Sequence, residues 1–119
     1  MKFIGLLFII AFLSSCHKQP ATSVALQGRL DAANLISEPN ARNEALGKLA
    51  IDAAGAKDIQ IATAAIESIN EPNRKNSTAE TCALVLSRNV EPKAATAVAQ
   101  LISDPNVRNR TLQAIAQGQ

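Results

Sequence analysis

The chain has no Trp and no Tyr, and its three Phe and its single Met all fall within the first 12 residues. Without aromatic rings in the body of the chain, there is no stacking platform for single-stranded nucleic acid. The only His is His17, so no imidazole is on hand further along to act as a general base. Cysteine is limited to Cys16 and Cys82. No Cys and His residues cluster at metal-ligand spacing, and no Gly-rich phosphate loop is present. Lys and Arg number 12 against 10 Asp and Glu, a balance too even for a nucleic-acid footprint. The carboxylates Asp31, Glu44, Asp52, Asp58, Glu67 and Glu80 are scattered. A lone carboxylate on a polar helix face is more often solvated than catalytic. These absences argue against an enzyme. They leave no cofactor, no metal and no nucleic-acid partner to expect.

What is present begins at the N-terminus. Lys2 supplies a positive end, Phe3 to Leu13 is almost unbroken apolar sequence, and Ser14 and Ser15 lead to Cys16. This is a secretory signal layout. The stretch is too short for a spanning helix, which needs about 20 apolar residues. That length sets aside a retained signal anchor. Leu13-Ser14-Ser15-Cys16 resembles the lipobox of bacterial lipoproteins. That resemblance implies acylation of Cys16, cleavage before it and a lipid-anchored N-terminus. Residues 1–15 are then a lipoprotein signal peptide, 16–21 a lipidated tether and 22–119 the folded domain. A soluble secreted protein, in which Cys16 would be a coincidence, stands well behind lipidation.

The domain repeats itself. Ile36-Ser37-Glu38-Pro39-Asn40 recurs as Ile69-Asn70-Glu71-Pro72-Asn73 and as Ile102-Ser103-Asp104-Pro105-Asn106, at offsets of 33 residues. Arg42, Lys75 and Arg108 share the period, as do Asn43, Asn76 and Asn109, and Leu49, Cys82 and Ile115. A fixed period of this size marks a stacked supersecondary unit. Composition favours helix. Pro suits the first helical position, and the acid before it suits the positive end of the helix dipole. The pattern predicts an all-α fold: a short α-solenoid of about six helices in three 33-residue helix-pair repeats. The first helix is expected over about Thr22 to Ser37.

The run from Ala64 to Asn73, with Leu46-Gly47, resembles the helix end, Pro turn and first helix of tetratricopeptide-like repeats. Val107-Arg108 after Asp104-Pro105-Asn106 resembles HEAT-like repeats. The period is one residue shorter than the tetratricopeptide unit and its large aromatic positions are missing. The likeness is therefore to helix-pair solenoids as a class, and it implies protein–protein recognition rather than chemistry.

Six repeat positions are candidates for partner binding. Arg42, Lys75 and Arg108 each follow an acid by four residues, the better helical orientation for an ion pair. The favoured reading is that Glu38, Glu71 and Asp104 neutralise them. The other reading is a basic row that meets an acidic partner or lipid head groups. Asn43, Asn76 and Asn109 sit where Asn is a mediocre helix former. The favoured reading is a structural ladder bonding to backbone of the preceding turn or the neighbouring repeat. The other resembles the asparagine ladder of armadillo-type solenoids, which holds an extended peptide. If Cys16 carries lipid, Cys82 has no disulfide partner. Its repeat counterparts are aliphatic, so it is expected to be a buried, inert thiol.

The expected protein is thus a lipoprotein of the bacterial envelope. It meets the membrane through the Cys16 lipid and another envelope protein or peptide through its helices. His17 stands where many inner-membrane enteric lipoproteins have Asp, which by resemblance points to the outer membrane, facing the periplasm. A scaffold or assembly role is the first expectation. An immunity or exclusion lipoprotein that neutralises a toxin or phage component is the alternative.

Overall fold

The computed structural model describes residues 21–119. The signal, Cys16 and His17 lie outside the described residues. Within them there are six α-helices and no strand: α1 (Ala21–Asn34), α2 (Pro39–Gly55), α3 (Ile59–Ser68), α4 (Pro72–Arg88), α5 (Pro92–Ala99) and α6 (Pro105–Ala116). Four of the six open on Pro, whose missing N–H costs nothing in the first turn.

The residue before Pro does the capping. Glu38 accepts hydrogen bonds from the N–H groups of Asn40 and Ala41, Glu71 from Asn73 and Arg74, and Asp104 from Asn106 and Val107. Each is held extended, with ψ near 120°, as the following Pro requires. This overturns the expected ion pairs. The carboxylates are occupied by backbone N–H groups. Arg42 and Arg108 instead donate to the carbonyls of Ile36 and Ile102, at 3.2 and 3.3 Å, and so tie each helix to the connection before it. Lys75 makes no such bond among the described residues.

The first helix also ends earlier than expected, at Asn34 rather than Ser37. The 35–38 connection has to be extended by the time it reaches Pro39. Ala21, assigned above to the tether, is the first residue of α1.

The C-termini of α2 and α4 close alike. Asp58 N–H reaches the Ala53 carbonyl (2.8 Å) and Lys57 N–H that of Ala54 (3.0 Å). In α4, Glu91 bonds to Leu86 (3.0 Å) and Val90 to Ser87 (3.1 Å). These are Schellman closures, and they place Lys57 and Val90 in the left-handed region, at φ 60° and 61°. Gly118 takes the same place after α6, at φ 74°.

The most extensive packing is between α2 and α3 and between α4 and α5. α4 also packs against α2 and α6, and α1 against α2 and α3. The core is aliphatic and small. Leu46, Leu49, Ile66, Leu86, Val98 and Ile102 are its largest fully buried apolar side chains, set among buried Ala50, Ala53, Ala62, Ala65, Ala79 and Ala83. Small side chains let helices approach closely. A Cβ on Gly47 of α2 would lie 3.4 Å from the Thr78 hydroxyl of α4.

Candidate interaction surface

The repeat positions singled out in the sequence fall on the second turns of α2, α4 and α6. Asn43 is buried, and its Oδ1 accepts the backbone N–H of Asn70 at 3.2 Å. Asn76 is half-buried, and its Oδ1 accepts from the N–H of Ser103 at 2.9 Å and from its hydroxyl at 3.1 Å. Each amide thus reaches the connection that leads into the next Pro-started helix, 27 residues on. Asn109 is exposed and has no such acceptance among the described residues. The ladder therefore has two rungs made and one open.

The three basic positions are half-buried. With Arg42 and Arg108 turned onto carbonyls, no continuous basic row faces solvent. Cys16 lies outside the described residues.

Other contacts join the same elements. Arg110 of α6 meets Glu80 of α4 at 2.8 Å, and Lys57 after α2 meets Glu91 before α5 at 3.8 Å. The Ser23 hydroxyl donates to Asp58 at 2.7 Å, fastening α1 to the cap of α3. The sequence reading missed these pairs. The 33-residue register relates only one acid of one pair to that of another, since Asp58 and Glu91 are counterparts, and gives no signal for Arg110 with Glu80, whose counterparts one repeat earlier are Ser77 and Gly47.

Two of the open grooves among the described residues run between helices. One, about 580 Å³, lies between α2 and α4 and is lined by Glu44, Lys48, Ile51, Arg74 and Ser77. Lys48, hydrogen-bonded to Glu44 at 2.9 Å, holds that carboxyl below its ordinary range. The other, about 430 Å³, lies between α1 and α2 and is mostly apolar, with Ala32, Ile36, Ala45 and Leu49 along it and Arg29 at its margin. Among the described residues, no three His, Cys, Asp or Glu side chains are placed to hold a metal ion.

Cys82 is fully buried and free, and burial pushes its thiol up to about 12. A thiol held neutral in this way is a poor nucleophile at neutral pH. No helix of the described residues is long and apolar enough to cross a membrane. Comparison with protein-family models, with curated proteins and with solved structures finds no significant match to this chain.

Proposed function

We propose that this chain is a small lipoprotein of the bacterial envelope, anchored through Cys16. Its helices form a short α-solenoid of three 33-residue helix-pair repeats that serves as a non-enzymatic binding or assembly module. The observation that carries the reading is Cys16 itself, at the end of an apolar stretch and behind two small residues. His17 after it favours the outer membrane, facing the periplasm. The repeat reading is supported by helix starts at Pro39, Pro72 and Pro105, by the matching bonds of Asn43 and Asn76, and by the matching bonds of Arg42 and Arg108. A module of this kind works by surface, and its partner is another envelope protein or peptide.

The test is metabolic labelling with a fatty-acid probe. Wild-type protein takes up label, and Cys16→Ser loses it and is stalled or mislocalised. Label retained in Cys16→Ser, or absent from the wild type, refutes the anchor. A pulldown from detergent-solubilised envelope then identifies the partner, and recovery of an incoming toxin would favour the immunity role instead.

A further inference from the structure

The described residues hold two complete helical hairpins, α2–α3 and α4–α5. Among the described residues, they are flanked by two helices that have no corresponding mate. By the 33-residue register, α6 is the counterpart of the first helix of each hairpin, and α1 that of the second. The side chains left open on these flanking helices are those that are covered in the middle. Ala116 of α6 is exposed, whereas its counterparts Ala50 and Ala83 are buried. Asn109 is exposed where Asn43 is buried. On the other side, Ala32 is exposed where Ala65 is buried, and Ile36 is half-exposed where Ile69 and Ile102 are buried.

We infer that these two ends are the halves of one junction, and that a second copy of this chain joins them head to tail, α6 of one copy against α1 and α2 of the next. The inference rests on the repeat reading above. It deepens that reading by naming the partner.

The register states which groups would meet, and they are complementary. Asn109 Oδ1 takes the place of the Asn43 and Asn76 oxygens. The N–H of Ser37 in the next copy takes the place of the Asn70 and Ser103 donors. Ser37 N–H has no acceptor among the described residues, so an open acceptor meets an open donor. Gln113 stands where Glu80 does, and Glu44 where Arg110 does. The internal ion pair becomes an amide that donates to the next copy's carboxylate. Val90 stands where Lys57 does, and Ala25 where Glu91 does. There the internal ion pair is replaced by two exposed apolar groups, both sides having changed character together. Val90 is 83% exposed and left-handed, a conformation unfavourable for a β-branched residue. The closure of α4 fixes this conformation, and it leaves the side chain open to a contact across copies. The apolar groove along Ala32, Ile36 and Ala45 receives α6 of the preceding copy. A head-to-tail contact is heterologous, so it propagates as a filament unless its rotation closes a ring.

The experiment is cysteine crosslinking of the full chain in membranes, with a short bismaleimide. The variant Glu44→Cys with Gln113→Cys probes the junction between copies. The variant Glu80→Cys with Arg110→Cys probes its internal counterpart, whose side chains already touch. Each single substitution is run beside them and controls for Cys16. The expected result is a ladder of dimers and higher multiples from the Glu44/Gln113 pair only, with an intrachain bridge from the Glu80/Arg110 pair. Adding Ala116→Arg should abolish the ladder. An intrachain bridge without a ladder overturns the inference and leaves the repeat reading standing. Failure of the intrachain bridge strikes the repeat reading itself. Dimers from Gln113→Cys alone would mean a two-fold, tail-to-tail contact, and an adduct with a different protein would assign the end to that partner. Either overturns head-to-tail assembly.

Discussion

The Asn43 side-chain oxygen accepts the backbone N–H of Asn70, 27 residues later, at 3.2 Å. Asn43 is only 4% exposed, so water cannot readily replace it. Asn43→Ala removes the acceptor and leaves that N–H unpaired, at a cost of about 1–3 kcal/mol. Asn109→Ala touches no bond among the described residues and should shift the stability of a single copy by less than about 0.5 kcal/mol. Urea denaturation of the two variants checks this. Equal losses would show that the difference between the two positions does not matter.

Val90 offers the opposite sign. Its φ of 61° costs an L-residue about 1–2 kcal/mol. Val90→Gly removes that strain and gives back part of the gain through a freer unfolded chain. A net gain of about 0.5–1 kcal/mol is expected, read as a higher urea midpoint. A lower midpoint would show that the side chain makes stabilising contacts that its exposure conceals.

Glu71 caps α4 by accepting two backbone N–H groups. Glu71→Ala frees both, and the loss expected is about 0.5–2 kcal/mol. Glu71→Asp should retain most of the stability, since Asp104 does the same work at the start of α6. If Glu71→Gln proves as stable as the wild type, hydrogen bonding rather than charge supports the helix. Thermal denaturation followed by circular dichroism separates the three.

Cys82 makes the stability depend on pH at the alkaline end. Burial raises its thiol from an ordinary value of 9.0 to about 12. Between those values the unfolded chain loses the proton and the folded chain keeps it. The folded state then binds more protons, so stability falls as pH rises through this window. Below pH 9 the contribution is constant. The slope approaches about 1.4 kcal/mol per pH unit, and it should be missing from Cys82→Ala. Denaturant titrations of both proteins from pH 8 to about 10.5 measure it. A thiol reagent should label the native protein far more slowly than the denatured one. Fast native labelling would contradict the burial.

Much of the helical layout was legible in the sequence because Pro and its preceding acid have strong local preferences. Pro39, Pro72, Pro92 and Pro105 each begin a helix, and the alignment of Cys82 with Leu49 and Ile115 located a buried face. The expected acid–base pairs failed for a physical reason. A carboxylate directly before Pro is closer to its own helix's free N–H groups than to a base one turn away, and capping wins. The left-handed Val90 was not legible, since no local rule places a β-branched residue there. The two internal rungs at Asn43 and Asn76 depend on contacts 27 residues apart. A period can suggest such contacts, but only the fold can supply them.

The interior built from Ala50, Ala53, Ala54, Ala62, Ala65, Ala79, Ala83, Ala95 and Ala99, all fully buried, limits how the sequence can vary. Large cores can trade a lost methylene at one site for a gained one beside it. Here almost every exchange at an Ala is an enlargement, and only a few larger neighbours, such as Leu46, Leu49, Ile66 and Leu86, have volume to give up in return. Growth at these sites would have to push whole helices apart. Variation is therefore steered outward, to the solvent-facing sides of the helices, where residues can change without disturbing the packed frame.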